Sequence, residues 1–317
     1  MKKKFIFFCL IIFTGYILLC PKDAVSAAAG GLVLWYEKVL PTLLPFAILS
    51  NLLIYSNYLP YITGYLGPVI RILLPISENG AFIIFSGFLF GFPMGSRNCA
   101  ELLKDKKISK KEADILFIIT NNISPVFISS YILQQQLVLP ELTIISYLVL
   151  YLPPLVLGAL WLNHSSLHNI TSLCDDMAVI IQKKPTSGSQ MNFKIIDAGI
   201  MNGFETLTRL GGYIMLFSIL ANLVQRIPIP LPLGLLITGT TEITIGIQRL
   251  CEAPVNTATR YVLAMAFTAF GGMSGIAQTS SMIKDTGLSL KKYSITKVIL
   301  TAVSTLLAIG VAVWFQL

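Results

Sequence analysis

The chain has 317 residues, of which 55% are hydrophobic and 12% charged, about half the charge of a soluble domain. Its mean hydropathy is +0.75, and apolar stretches near the ~20 residues that cross a bilayer as helix recur along its whole length. A soluble fold of this composition would expose too much apolar surface. The net charge of +8 does not point to nucleic acid, because Lys and Arg sit in short loops between apolar segments, as the positive-inside bias places them. The composition defines an all-α polytopic membrane protein with the lipid bilayer as its solvent.

Met1-Lys-Lys-Lys4 and the apolar run behind it read as a membrane helix or a signal peptide, with small residues at 24–29 suited to cleavage. Residues 1–29 form this N-terminal unit, and either reading places residue 30 on the outer side. A span follows from Gly31 to about Tyr55, with Pro41 and Pro45 as kink candidates. Residues 58–76 are apolar but broken by Pro60, Gly64, Gly67, Pro68 and Arg71, which predicts an interfacial or partly inserted segment. Residues 80–104 form an apolar stretch interrupted by Gly91-Phe-Pro-Met-Gly-Ser-Arg97. Spans are predicted at about 113–133 and 141–163. A polar linker over 164–195 divides the chain. A span at 196–225, an interrupted stretch at 229–250, a span at 256–282 and a last span at 294–317 complete it.

The Lys-rich places are 2–4, 104–111, 183–194 and 284–297. All four reach the cytoplasm only if 80–104 enters and leaves on that side, as a re-entrant hairpin. By the same rule 229–250 is a hairpin dipping from the opposite face. Two matches support a repeat. "FAILSNLL" at 46–53 pairs with "FSILANLV" at 217–224, and "FIITNNISPVFISS" at 117–130 pairs with the segment from Phe267, aligning Ser124 with Ser274. Each half, 30–163 and 196–317, reads as three spans plus one hairpin. An odd number of spans makes the second half inverted, and inverted repeats with broken segments are the pattern of secondary transporters, whose sites lie near the midplane.

A turn inside the membrane must satisfy its own backbone groups. Gly91 and Gly95 permit the turn and Pro93 removes a donor. Gly95, Ser96 and Arg97 then open a returning half-helix whose amides favour an anion. Arg97 is expensive in hydrocarbon and is expected at a cavity rather than snorkelling outward. Thr240, Thr241 and Glu242 occupy the matching place in the second hairpin. Asn121, Asn122 and Ser124 precede Pro125 in mid-span, and Gly272, Ser274 and Gln278 mark the twin break. These twelve residues are the candidate substrate site. Glu205 and Arg209 are spaced for an intrahelical ion pair. The five cysteines lack metal spacing, and His164 and His168 lie in the polar loop. No Ser/His pair, HExxH or paired carboxylates support an enzyme.

The stretch "GFPMGSRNCAELLKDKKISKKEADILFIITNNISPVFISSYI", with "GTTEI" and "AFTAFGGMSGIAQTSSMI" later, resembles the sporulation integral membrane protein YlbJ family within the nucleoside-recognition, or Gate, superfamily. Those domains are similar to concentrative nucleoside transporters. The resemblance implies two hairpins and two unwound helices around a small solute. For the sporulation branch it implies dipicolinate, moved from the mother cell across the outer forespore membrane by alternating access. The transporters' first hairpin carries a Gln-Thr-Glu tip. Here Pro-Met-Gly-Ser-Arg97 stands in its place, which suits a dicarboxylate, since guanidinium pairs bidentately with carboxylate. A nucleoside or nucleobase carrier and a non-transporting sporulation assembly factor are the alternatives. No cofactor is implied beyond a coupling ion, Na+ or H+, and a homo-oligomer is compatible with the pattern.

Overall fold

The computed structural model describes residues 2–56, 74–164 and 192–317, with Tyr58, Gly64, Pro68 and Ile70 between them. The expected linker 164–195 and the expected interfacial segment 58–76 lie outside the described residues, apart from their ends and Gly64, Pro68 and Ile70. The described chain is helical throughout. Among the described residues, four helical stretches are long and apolar enough to cross a membrane: Pro140–Leu162, Phe193–Gln225, Thr257–Met282 and Leu290–Trp314. A fifth candidate is the pair Leu10–Leu19 and Pro21–Val39, bent by 106°.

In chain order the helices are α1 (Lys2–Leu19), α2 (Pro21–Leu34) and α3 (Leu40–Tyr55), the last two joined by a π-wound stretch at Trp35–Val39. Helix α2 starts at Pro21, ten residues before the expected start of the second span. Proline is at home in a first helical turn, where its missing N–H costs nothing. Next come α4 (Glu78–Phe90), α5 (Met94–Lys104) and α6 (Lys110–Ile119), then a π-wound stretch at Phe127–Leu137 and α7 (Thr143–His164). The second half holds α8 (Phe193–Gln225), α9 (Leu231–Thr241), α10 (Ile243–Glu252), α11 (Thr257–Phe270), α12 (Gly272–Met282) and α13 (Leu290–Trp314).

Helices α4 and α5 pack on each other as one hairpin, and α9 and α10 as another. Their arms have 13, 11, 11 and 10 residues, hence lengths of about 15–20 Å. None of these arms reaches across a hydrocarbon core of about 30 Å. Glycine sets the closeness of the second hairpin, because a Cβ on Gly246 would lie 2.2 Å from the Cα of Gly239. Two further helices are broken. The stretch from α6 to Leu137 unwinds over residues 120–124, and α11 stops at Gly271, whose φ of +78° turns the chain into α12.

Helix α8 forms the brace of the second half. Gly199 and Gly203 let it lie on Leu52, Ile48 and Leu44 of α3, the small-residue packing expected between membrane helices. Asn51 Nδ2 donates to the Gly199 carbonyl at 3.0 Å and Trp35 Nε1 to that of Leu207 at 2.8 Å. One buried cluster joins α4, α6 and the start of α13, and a second joins the π-wound stretch, α7, α10, α11 and the end of α13. Large apolar side chains on the outer faces of α1, α7, α8 and α13 remain exposed, as lipid-facing surfaces require.

Candidate functional site

The first break begins with a local conflict. Pro125 removes a helix donor and disfavours helical geometry at Ser124, so residues 121–124 are unwound. Backbone groups so freed need partners inside a membrane, and the fold supplies them. Phe92 N–H, in the turn of the first hairpin, donates to the Asn122 carbonyl at 2.6 Å. Tyr151 Oη donates to the Ile123 carbonyl at 2.6 Å and Tyr147 Oη to that of Pro125 at 3.0 Å. Asn122 Nδ2 caps the Ile119 carbonyl at 2.7 Å. Gly87 and Gly95 let both hairpin arms press on Thr120, whose carbonyl would lie 2.6 Å from a Cβ at either position.

Asn121 connects four elements. Its Oδ1 accepts from Ser96 Oγ of α5 at 3.1 Å, while Nδ2 donates to Thr279 Oγ1 of α12 at 2.7 Å and Tyr293 Oη of α13 at 2.9 Å. Asn122 Oδ1 accepts from the ammonium of Lys297 at 3.0 Å. Lys297 is buried, 3% exposed. Charge counting along the chain places it with the cytoplasmic lysines 284–297. The missed signal is its place two turns inside α13, where the apolar sequence has resumed.

A cavity of about 60 Å³ lies where the hairpin tips and both breaks meet. Phe92 and Phe127 give it aromatic walls; Ser124, Glu242, Thr244, Ser274 and Gln278 give it polar ones. That volume holds a few waters. Glu242 begins α10 as its cap: one carboxylate oxygen accepts from Ile245 N–H at 2.9 Å and the other from Thr244 Oγ1 at 3.0 Å. Gln278 Nε2 donates to Ser274 Oγ at 2.9 Å, while its Oε1 is buried and finds no partner among the described residues. Ser124 Oγ accepts from Phe127 N–H at 3.3 Å.

Glu242, Thr244 and Ile214 also line a neighbouring cavity of about 210 Å³ that runs to Asn222, Gln225 and Arg249. A third cavity, of about 330 Å³, opens on the other side between α5, α8 and the end of α12. It contains Arg97, Glu101, Lys104, Arg209, Lys284 and Asp285.

The twelve expected site residues therefore divide. Ser124, Glu242, Ser274 and Gln278 line the central cavity. Ser96, Asn121 and Asn122 form the polar network beside it. Gly95 is a contact point for Thr120, and a Cβ on Gly272 would stand 3.4 Å from the Thr241 carbonyl. Thr240 and Thr241 bond back to their own helix. Arg97 does not line the central cavity; it stands in the third one, with Nη1 buried and unpartnered among the described residues. Successive helical residues diverge by about 100°, so Ser96 faces Asn121 while Arg97 turns toward α8. Glu205 and Arg209 form the expected ion pair at 2.5 Å.

These features define an all-helical, multi-pass membrane protein with two hairpins and two broken helices around a polar pocket. Residues 37–138 match the Gate family model, described as nucleoside recognition. The chain is also similar to the sporulation integral membrane protein YlbJ of Bacillus subtilis (strain 168), at 26% identity over 91% of this chain and 78% of that protein. No solved structure matches it.

Proposed function

We propose that the chain is a carrier for a small anionic aromatic solute in endospore formation, with dipicolinate moved from the mother cell across the outer forespore membrane. The observation that carries this reading is the pocket itself, in which Phe92 and Phe127 flank Ser124, Glu242, Ser274 and Gln278 between two hairpin tips and two breaks. Aromatic walls with a few convergent polar groups suit a flat ring bearing polar substituents. The similarity to a sporulation membrane protein supports the cellular setting. The two halves act as inverted repeats, so that rocking one against the other exposes the pocket to each face in turn. Arg97 meets the anion in the vestibule and gathers it by charge.

A nucleoside or nucleobase is the second reading, and one observation favours it: among the described residues no basic side chain lines the central pocket, whereas Glu242 and the Gln278 Oε1 left without a partner there are acceptors. Solute N–H and O–H groups would satisfy them. Competition between labelled dipicolinate and uridine for binding to the purified protein tests the proposal. Displacement of dipicolinate by unlabelled dipicolinate and not by uridine supports the first reading, and the reverse supports the second. Binding of neither, with sporulation unaffected by pocket substitutions, favours the non-transporting assembly factor.

A further inference from the structure

We propose that Lys297 is the proton-binding site that sets the state of the first break, so that the carrier couples to protons through an ammonium built into its own last helix. The coupling role rests on the carrier reading; the proton-dependent state of the break does not.

The geometry is specific. Asn122 is oriented by its own amide, since Nδ2 is committed to the Ile119 carbonyl and Oδ1 therefore faces Lys297. Among the described residues the ammonium makes that one hydrogen bond, and it lies 5.8 Å from the centroid of the Tyr293 ring. No carboxylate pairs with it among the described residues. An ammonium removed from water with one neutral partner is costly, and shedding the proton removes that cost. Lysine can do this and arginine cannot.

The surroundings leave Lys297 as the group that changes. The helices packed on α13 are α6, α7, α11 and α12. On α7, the Tyr147 and Tyr151 hydroxyls are engaged by the carbonyls of Pro125 and Ile123. On α11, Tyr261 is bonded to Ser146 and Arg260 to the Ala253 carbonyl. On α6, Lys110 is paired with Asp114, Glu112 accepts from Ser77 N–H, and Lys111 is exposed in the first turn. Helix α12 carries no titratable group, and on α13 Lys291 and Lys292 are exposed while Tyr293 is bonded to Asn121.

The consequence is mechanical. The Asn121–Asn122 pair ties the first hairpin through Ser96, the second broken helix through Thr279 and the last helix through Tyr293 and Lys297. A charged donor holds Asn122 more firmly than a neutral amine does. Proton release therefore loosens the break on which the first hairpin rests, and proton binding closes it.

The test uses the full chain in liposomes, with native cysteines replaced and one thiol introduced by Ile214→Cys in the central cavity wall. Its reaction with a small methanethiosulfonate is followed from about pH 5 to about pH 9 and corrected for the thiol's own ionisation. The expected result is an accessibility change of about fivefold in the parent, no change in Lys297→Met, and an acid-like constant value in Lys297→Arg. Sodium at constant pH should not reproduce the change. If Lys297→Met does not fold, Lys297→Gln, which retains a donor, takes its place beside Lys297→Arg. A Lys297→Arg protein that keeps the parent's pH profile overturns the proposal, as does a flat profile in the parent. A pH-dependent parent without flux of any solute would remove the carrier reading alone, and flux with a flat profile would remove this inference alone.

Discussion

Asn121 Nδ2 donates to Thr279 Oγ1 at 2.7 Å, across 158 residues of sequence, and so joins the two broken helices directly. The same amide nitrogen reaches Tyr293, and its oxygen holds Ser96. Asn121→Ala removes a hydrogen bond from each of three buried hydroxyls, of which Ser96 keeps the Pro93 carbonyl. It should destabilise the folded protein by about 2–4 kcal/mol, measured by unfolding in detergent. Combined with Thr279→Val, the loss should be smaller than the sum of the two single changes, because the shared bond is removed once.

Glu242 serves α10 as a cap and the pocket as a polar wall, and two substitutions separate these roles. Glu242→Ala uncaps the helix and should cost about 1–2 kcal/mol. Glu242→Gln keeps an acceptor for Ile245 N–H, so stability should change by less than about 1 kcal/mol while solute binding weakens about tenfold or more. Normal sporulation in Glu242→Gln, together with no solute bound by the parent, would favour the assembly-factor alternative.

The two turns differ in what they tolerate. Gly91 has φ +75° and ψ −170°, and a Cβ there would lie 2.5 Å from the Ser124 nitrogen. Gly271 has φ +78° with open space around a Cβ. Gly271→Ala should cost about 1–2 kcal/mol of backbone strain. Gly91→Ala adds a backbone clash and should lose most folded protein, read by yield and by size-exclusion profile.

Arg97 stands in the third cavity rather than the central one. Arg97→Ala should therefore raise the half-saturating concentration of dipicolinate about tenfold at low salt, with a smaller effect at high salt. The maximal rate should hold. Uridine, being neutral, should not respond. Initial uptake rates at two ionic strengths check all of these points.

The sequence made the interruptions readable because each needs special residues. Gly91-Phe-Pro93 marks the first turn, Pro125 the first break, and Gly271-Gly272 the second; helices stop at Gly91 and Gly271, and helix resumes at Pro125 after the unwound residues. What it hid was direction around each helix. Ser96 and Arg97 are adjacent in sequence, yet Ser96 is buried against Asn121 while Arg97 lines the third cavity. Lys297 looked like a loop lysine because a charge count records position along the chain and not depth. The start of α2 at Pro21 was hidden because small residues at 24–29 serve a cleavage site and a closely packed helix equally well.

The most direct measurement is solute flux into vesicles containing the purified full-length protein, compared with Gly275→Leu. A Cβ on Gly275 would meet the Phe92 ring at 3.5 Å, an ordinary contact, so the leucine should fill the 60 Å³ cavity without dismantling the fold. The account predicts saturable flux of labelled dipicolinate or uridine in the parent and its loss in a stably folded Gly275→Leu. Flux of neither solute, or flux that survives the filled pocket, would contradict it.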